Sequence, residues 1–159
     1  MTLKAGRGCS VNRFMRRAVE LAVENVRQGG QPFGAVLVKR NEIVAEGVNE
    51  GHQKFDVSAH AELLAIRRAQ EKFQTNDLSE YTMYASGEPC PMCLTAMYFA
   101  GIQKIYYCAS VDDAVQAGLG KSKQIYDDLQ KPRGERKITM VHMPLEQGQM
   151  DPMKLWKEE

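Results

Sequence analysis

YTMYASGEPCPMCLTAMYFAGIQKIYYCA, residues 81–109, decides the architecture. Its opening, 81–86, is rich in tyrosine, threonine and methionine and reads as a β-strand. Pro91 suits a first helical turn, where its missing N–H would have had no partner, and Gly101 closes the helix that follows. Residues 102–109, rich in Ile and Tyr, form the next strand. Strand, helix and strand in close succession mark an α/β protein.

Working towards the N-terminus, 33–39 (FGAVLVK) and 42–48 (EIVAEGV) are two short β-rich runs separated by Arg40-Asn41, a hairpin signature. Residues 11–28 carry Phe14, Ala18, Leu21, Ala22 and Val26 at helical spacing, with Ser10 placed to cap and Gly29-Gly30 to stop. A second helix is expected over 59–72. Towards the C-terminus the pattern predicts a short helix near 112–117, a polar loop over 118–136, a fifth strand at 137–142 and a tail carrying Trp156. The expectation is one α/β domain over 1–159, a five-stranded mixed sheet sandwiched between helices.

Composition narrows the partners. Of 159 residues, 43% are hydrophobic and 26% charged, as in ordinary globular chains, and the net charge of +1 gives no electrostatic basis for nucleic-acid or membrane binding. MTLKAGRGCS lacks the long apolar core of a signal peptide, and no apolar run reaches membrane-spanning length, so a cytoplasmic location is expected. Four cysteines, at 9, 90, 93 and 108, are too few and too unevenly spaced for a disulfide scaffold. A close pair in a reducing compartment points to metal or redox chemistry instead.

Two short motifs carry the chemistry. His60-Ala61-Glu62 opens one helix and Pro89-Cys90-Pro91-Met92-Cys93 opens another. A C-x-x-C turn at a helix start sets two sulfurs side by side, where the positive helix end favours their thiolates. Two thiolates and one imidazole supply three tetrahedral zinc ligands and leave the fourth position to water, as in catalytic zinc sites. Glu62 stands where its carboxylate reaches that position without binding the metal, the placement of a general base. Zinc lowers the pKa of bound water to roughly 7, so hydroxide is accessible at neutral pH. A lone C-x-x-C also fits a redox pair, His60 alone a core or cap residue, and Glu62 alone a solvated first-turn acid. Together, H-x-E and P-C-x-x-C some thirty residues apart form the signature of the zinc deaminases. One zinc per chain is expected.

The stretches PFGAVLV (32–38), AEGVN (45–49), SAHAELLAIRRA (58–69), EPCPMCLTAMYFA (88–100) and DAVQAGLGKSKQIYDDLQKPRGER (113–136) resemble the cytidine deaminase-like superfamily from about residue 11 to 157. Within it the likeness is greatest to bacterial guanine deaminases, most tellingly over 113–136. That resemblance implies hydrolysis of guanine to xanthine and ammonia. It implies that Asn49 hydrogen-bonds the purine, that Phe33 borders the base with Gly34, Ala35 and Ala61 beside the ring, and that Asp113 contacts its amino-bearing face. By residue chemistry alone, Asn49 also fits a turn, Phe33 a core position and Asp113 a helix cap. Relatives are dimers or larger, so a homodimer acting on a small nucleobase is implied. The chain departs from the family pattern at Asp56-Val57-Ser58, usually Asp-Pro-Thr, at Gly87, usually Cys, Ser or Thr, and at its end, where Trp156 is the only aromatic.

Other readings are a deaminase of another aminopurine, an aminopyrimidine or a nucleoside such as guanosine, a tRNA adenosine deaminase, and a non-catalytic zinc module. A tRNA enzyme calls for a basic C-terminal helix, whereas MDPMKLWKEE is short and mixed in charge. A structural zinc module has no use for Glu62 and wants a fourth protein ligand. Among the remaining candidates, His52 is expected in a surface loop, His142 at a strand or edge, and Cys108 as a small buried hydrophobe.

Overall fold

The computed structural model describes residues 12–158, which fall into two compact units, one running to Tyr126 and one from Asp127 onward. The first unit opens with α1 (Arg13–Arg27), whose N-cap is Asn12. Asn12 Oδ1 accepts from the N–H groups of Phe14 and Met15 at 2.9 and 3.3 Å. Ser10, the expected cap, lies outside the described residues.

The hairpin is β1 (Gly34–Lys39) and β2 (Glu42–Val48), paired antiparallel. Arg40 and Asn41 both adopt positive φ, 49° and 63°. That left-handed pair twists the turn in the sense the strands themselves twist, which is why two-residue hairpins use it. Short α2 (Gly51–Lys54) follows, then α3 (Ala61–Phe73), β3 (Thr82–Gly87), α4 (Pro91–Ala100), β4 (Lys104–Ala109) and α5 (Val111–Gln116). Strand order is β2-β1-β3-β4, with β1 antiparallel to β3 and β3 parallel to β4.

Side-chain alternation along β1 explains how helices cover both faces of the sheet. Ala35 and Leu37 point into a core shared with Ala61, Ala65 and Ile66 of α3 and Met97 of α4. Val36 and Val38 point the other way, against Phe14 and Leu21 of α1. Glycine permits the tightest contact. A Cβ on Gly47 of β2 would collide with the carbonyl of Ala61, so β2 backbone lies directly against the first turn of α3.

The sheet has four strands rather than the expected five. Residues 137–142 form no ladder, and Ile138, Met140 and Val141 are all exposed. Their β-prone composition is real, but a strand exists only where a neighbour pairs its N–H and C=O groups. The segment expected as a polar loop instead carries α6 (Lys121–Leu129) and a 3-10 turn (Arg133–Glu135), and the tail forms α7 (Pro152–Glu158). No helix among the described residues is long and apolar enough to cross a membrane. Cys108, expected as a small buried hydrophobe, is exposed, as its place on the edge strand β4 allows.

Candidate metal centre and pocket

Helix starts bring the chemical groups together. His60 is the N-cap of α3, in extended backbone geometry, and Glu62 follows in the first turn. Cys90 is the N-cap of α4, with Pro91 at N1, and the Cys93 N–H points back at Cys90 Sγ, 3.5 Å away. Cys90 Sγ lies 3.4 Å from His60 Nδ1, and Cys93 Sγ lies 3.6 Å from the same nitrogen. Metal–ligand lengths of a tetrahedral zinc site imply a nitrogen-to-sulfur edge of about 3.6 Å. Both nitrogen-to-sulfur edges therefore fit a tetrahedral zinc site, and the three donor atoms, all within 4.8 Å of one another, form a metal-competent cluster among the described residues.

The electrostatics suit the same ion. Cys90 is held down to about 4, chiefly by hydrogen bonding from Cys93 and then from His60, despite partial burial. Cys93 is pushed far up by that same bond, by burial and by Glu62. A divalent cation takes both sulfurs as thiolates, so its binding releases thiol protons. His60 is raised, first by its hydrogen bond to Cys90.

Glu62 is buried at 5% exposure, and burial pushes its carboxyl above the usual range. Its Oε2 lies 3.4 Å from Cys93 Sγ, beside the donors yet outside the cluster of three.

These groups face a cavity of about 920 Å³ whose wall includes Phe33, Asn49, His60, Glu62 and Cys90. Of the other residues expected at the substrate, Ala35 and Ala61 are wholly buried in the core. Gly34 packs on α1, where a Cβ would meet Leu21 and Ala22. Asp113 also lies outside the cavity wall. Its Oδ2 accepts from Ser110 N–H and Oγ at 2.8 and 2.9 Å, and Ser110 Oγ accepts from Asp113 N–H in return, closing a capping box at the start of α5. His52, expected in a surface loop, is exposed but reaches the cavity rim from α2.

Three supporting residues escaped the sequence reading. Glu88 Oε2 accepts from Val111 N–H at 2.8 Å while Glu88 N–H donates to Ala109 O at 2.7 Å, tying the ends of β3 and β4 together below the cysteine turn. Tyr126 Oη donates to Pro89 O at 2.7 Å, and burial pushes its hydroxyl up to about 12. Ser86 Oγ accepts from Gly34 N–H at 3.0 Å, anchoring the backbone next to Phe33. Ser86 and Glu88 signalled themselves only by standing close to the cysteine motif, and Tyr126 only by falling within the 113–136 stretch. Gly87 has a clear packing role, since a Cβ there would come within 2.9 Å of the Phe33 ring.

Comparison with known proteins agrees with this geometry. Residues 10–109 match the family model described as the cytidine and deoxycytidylate deaminase zinc-binding region. A guanine deaminase of Bacillus subtilis (strain 168) is 42% identical over 145 residues, 91% of this chain and 92% of its own. The crystal structure of the Bacillus subtilis guanine deaminase superposes with a TM-score of 0.85 at 40% identity, covering 92% of this chain and 93% of the other. A tRNA-specific adenosine deaminase of Aquifex aeolicus is 29% identical over 85% of this chain and 86% of its own. With the donor set, the buried carboxylate and these likenesses in agreement, the chain belongs to the zinc-binding cytidine and deoxycytidylate deaminase family.

Proposed function

We propose that this enzyme hydrolyses the exocyclic amino group of guanine, giving xanthine and ammonia, and prefers the free base to the nucleoside. The extent of the guanine deaminase likeness carries the substrate. An alignment of 145 residues in a chain of 159 runs past the family segment ending at 109. It therefore takes in Ala114, Leu119, Ser122 and Ile125, which line the cavity.

His60, Cys90 and Cys93 hold one zinc ion, which supplies Lewis-acid activation of water and substrate when bound. Glu62 does the proton work. Its Oε2 accepts a proton from the attacking water as the new C–O bond forms, then returns it to the departing amine as the C–N bond breaks. Asn49 offers a carboxamide to the polar edge of the base, and Phe33 borders the ring. Buried polar contacts of this kind discriminate sharply, because a wrong base leaves them unpaired.

The same reading places the enzyme in the cytoplasm as a homodimer. Tyr98 and Phe99 of α4, 78% and 88% exposed, support a second copy. So does Tyr107, exposed on β4 on the sheet face that α4 covers, whereas Tyr106 stacks on Tyr84 on the opposite face. The testing measurement is ammonia release from guanine, guanosine, cytosine and adenine. Guanine should give the largest kcat/KM; turnover of another member without turnover of guanine refutes the substrate and leaves only the reaction class.

A further inference from the structure

The Asn49 carboxamide is held from two sides by residues that no motif contains. Asn49 Oδ1 accepts from Gly51 N–H at 3.0 Å. A backbone N–H can only donate, so this bond fixes which end of the carboxamide is oxygen. The opposite end, Nδ2, donates to Gln31 Oε1 at 3.2 Å. One hydrogen of Nδ2 is thereby engaged, and one is left at a cavity whose wall includes both residues.

Beneath this pair lies Asn25 of α1, only 4% exposed. Its Nδ2 donates to Asn49 O at 2.9 Å and to Gln31 O at 2.8 Å. Gln31 O also accepts from Phe33 N–H at 2.8 Å, and Asn49 N–H donates to Phe33 O at 3.2 Å. Gly30 leaves room for the arrangement: a Cβ there would strike the Asn25 carboxamide and come within 2.7 Å of the His52 ring.

We propose that Gln31 is a positioning residue, braced by Asn25, which locks the Asn49 carboxamide so that its second Nδ2–H meets an acceptor atom on the base. This rests on Asn49 binding substrate, as inferred above. Gln31 makes no claim to touch the reacting atoms; it acts through Asn49. A carboxamide tethered at both ends loses little freedom on binding, and that preorganisation belongs in KM.

Gln31 is exposed, so its replacement leaves the core intact. The test is a double-mutant cycle of Gln31→Ala and Asn49→Ala on the zinc-loaded enzyme, with Gln31→Glu as the conservative variant that keeps the acceptor. One net hydrogen bond corresponds to about a three- to tenfold change. The expected result is a rise in KM for guanine of that size in Gln31→Ala, with kcat and zinc content within about twofold, and KM near wild type in Gln31→Glu. In the Asn49→Ala background, Gln31→Ala should add less than about twofold, because its target is gone. An equal effect in both backgrounds overturns the proposal, and so does an unchanged KM in Gln31→Ala alone, even if Asn49→Ala raises KM. If Asn49→Ala itself leaves KM unchanged, the reading of Asn49 fails and takes this inference with it.

Discussion

Burying Glu62 would cost several kcal/mol if its charge stood alone, so the residue needs a cationic neighbour or a bound proton. A zinc ion held by the three donors would provide the first, and proton transfer uses the second. The two kinds of residue therefore fail differently. Glu62→Gln should keep the metal and the fold while kcat falls by about 10²–10⁴, the usual yield of a positioned acid–base group. Cys90→Ala should lose zinc and activity together, and its melting temperature should no longer rise on adding zinc. Metal analysis beside steady-state kinetics separates the cases: zinc loss in Glu62→Gln would make that residue a ligand, and full stoichiometry in Cys90→Ala would refute the site. At this scale the sequence was most informative, because His60, Glu62, Cys90 and Cys93 each belong to a motif of fixed spacing. Asn25 and Gln31 belong to none, and their contacts cross 24 and 18 residues, distances that only the fold closes.

Two helix starts deliver the site, and a strand aligns them. Gly47 presses β2 onto Ala61, one residue after the His60 ligand, so the depth of that contact sets where the imidazole sits. Gly47→Ala should therefore cost about 1–3 kcal/mol of stability by overpacking, and should weaken zinc affinity as α3 moves away. Chemical denaturation followed by zinc titration checks both; wild-type affinity in a destabilised protein would show that α3 holds its place without this contact. Elements with local signals, such as Pro91 and Gly101 around α4 or Arg40-Asn41 in the hairpin, were legible in advance. Helix α6 was hidden by its polar composition, with Ile125, Tyr126 and Leu129 its only apolar residues, and α2 is only one turn long. The expected strand at 137–142 shows the converse limit. Its residues favour extension, but pairing is a property of two segments.

For the whole molecule, exposed aromatics on α4 and β4 outweigh anything in the net charge of +1. Association through Tyr98, Phe99 and Tyr107 should be apolar and hence suffer no loss by screening at high salt. Sedimentation equilibrium should give a dimer at both low and high ionic strength, and Phe99→Glu should shift the population towards monomer with zinc retained. A monomer in the unmodified protein at tens of micromolar would remove the dimer from the reading.

The separation of the donors also dictates an order of events during folding. Cys90 and Cys93 are only 3 residues apart in sequence, so even an unfolded chain presents the two sulfurs close together. His60 is thirty residues away from Cys90 and must wait for the intervening loop to close. Zinc present at the start of refolding would meet two neighbouring sulfurs before the imidazole, which stands in place only once α3 packs beside α4. Since closing that loop fixes α3 and α4 against one sheet, completing the coordination shell coincides with completing the core. Zinc held there would fasten the starts of α3 and α4 to each other across thirty residues of chain, so that metal binding would report the formation of this part of the core.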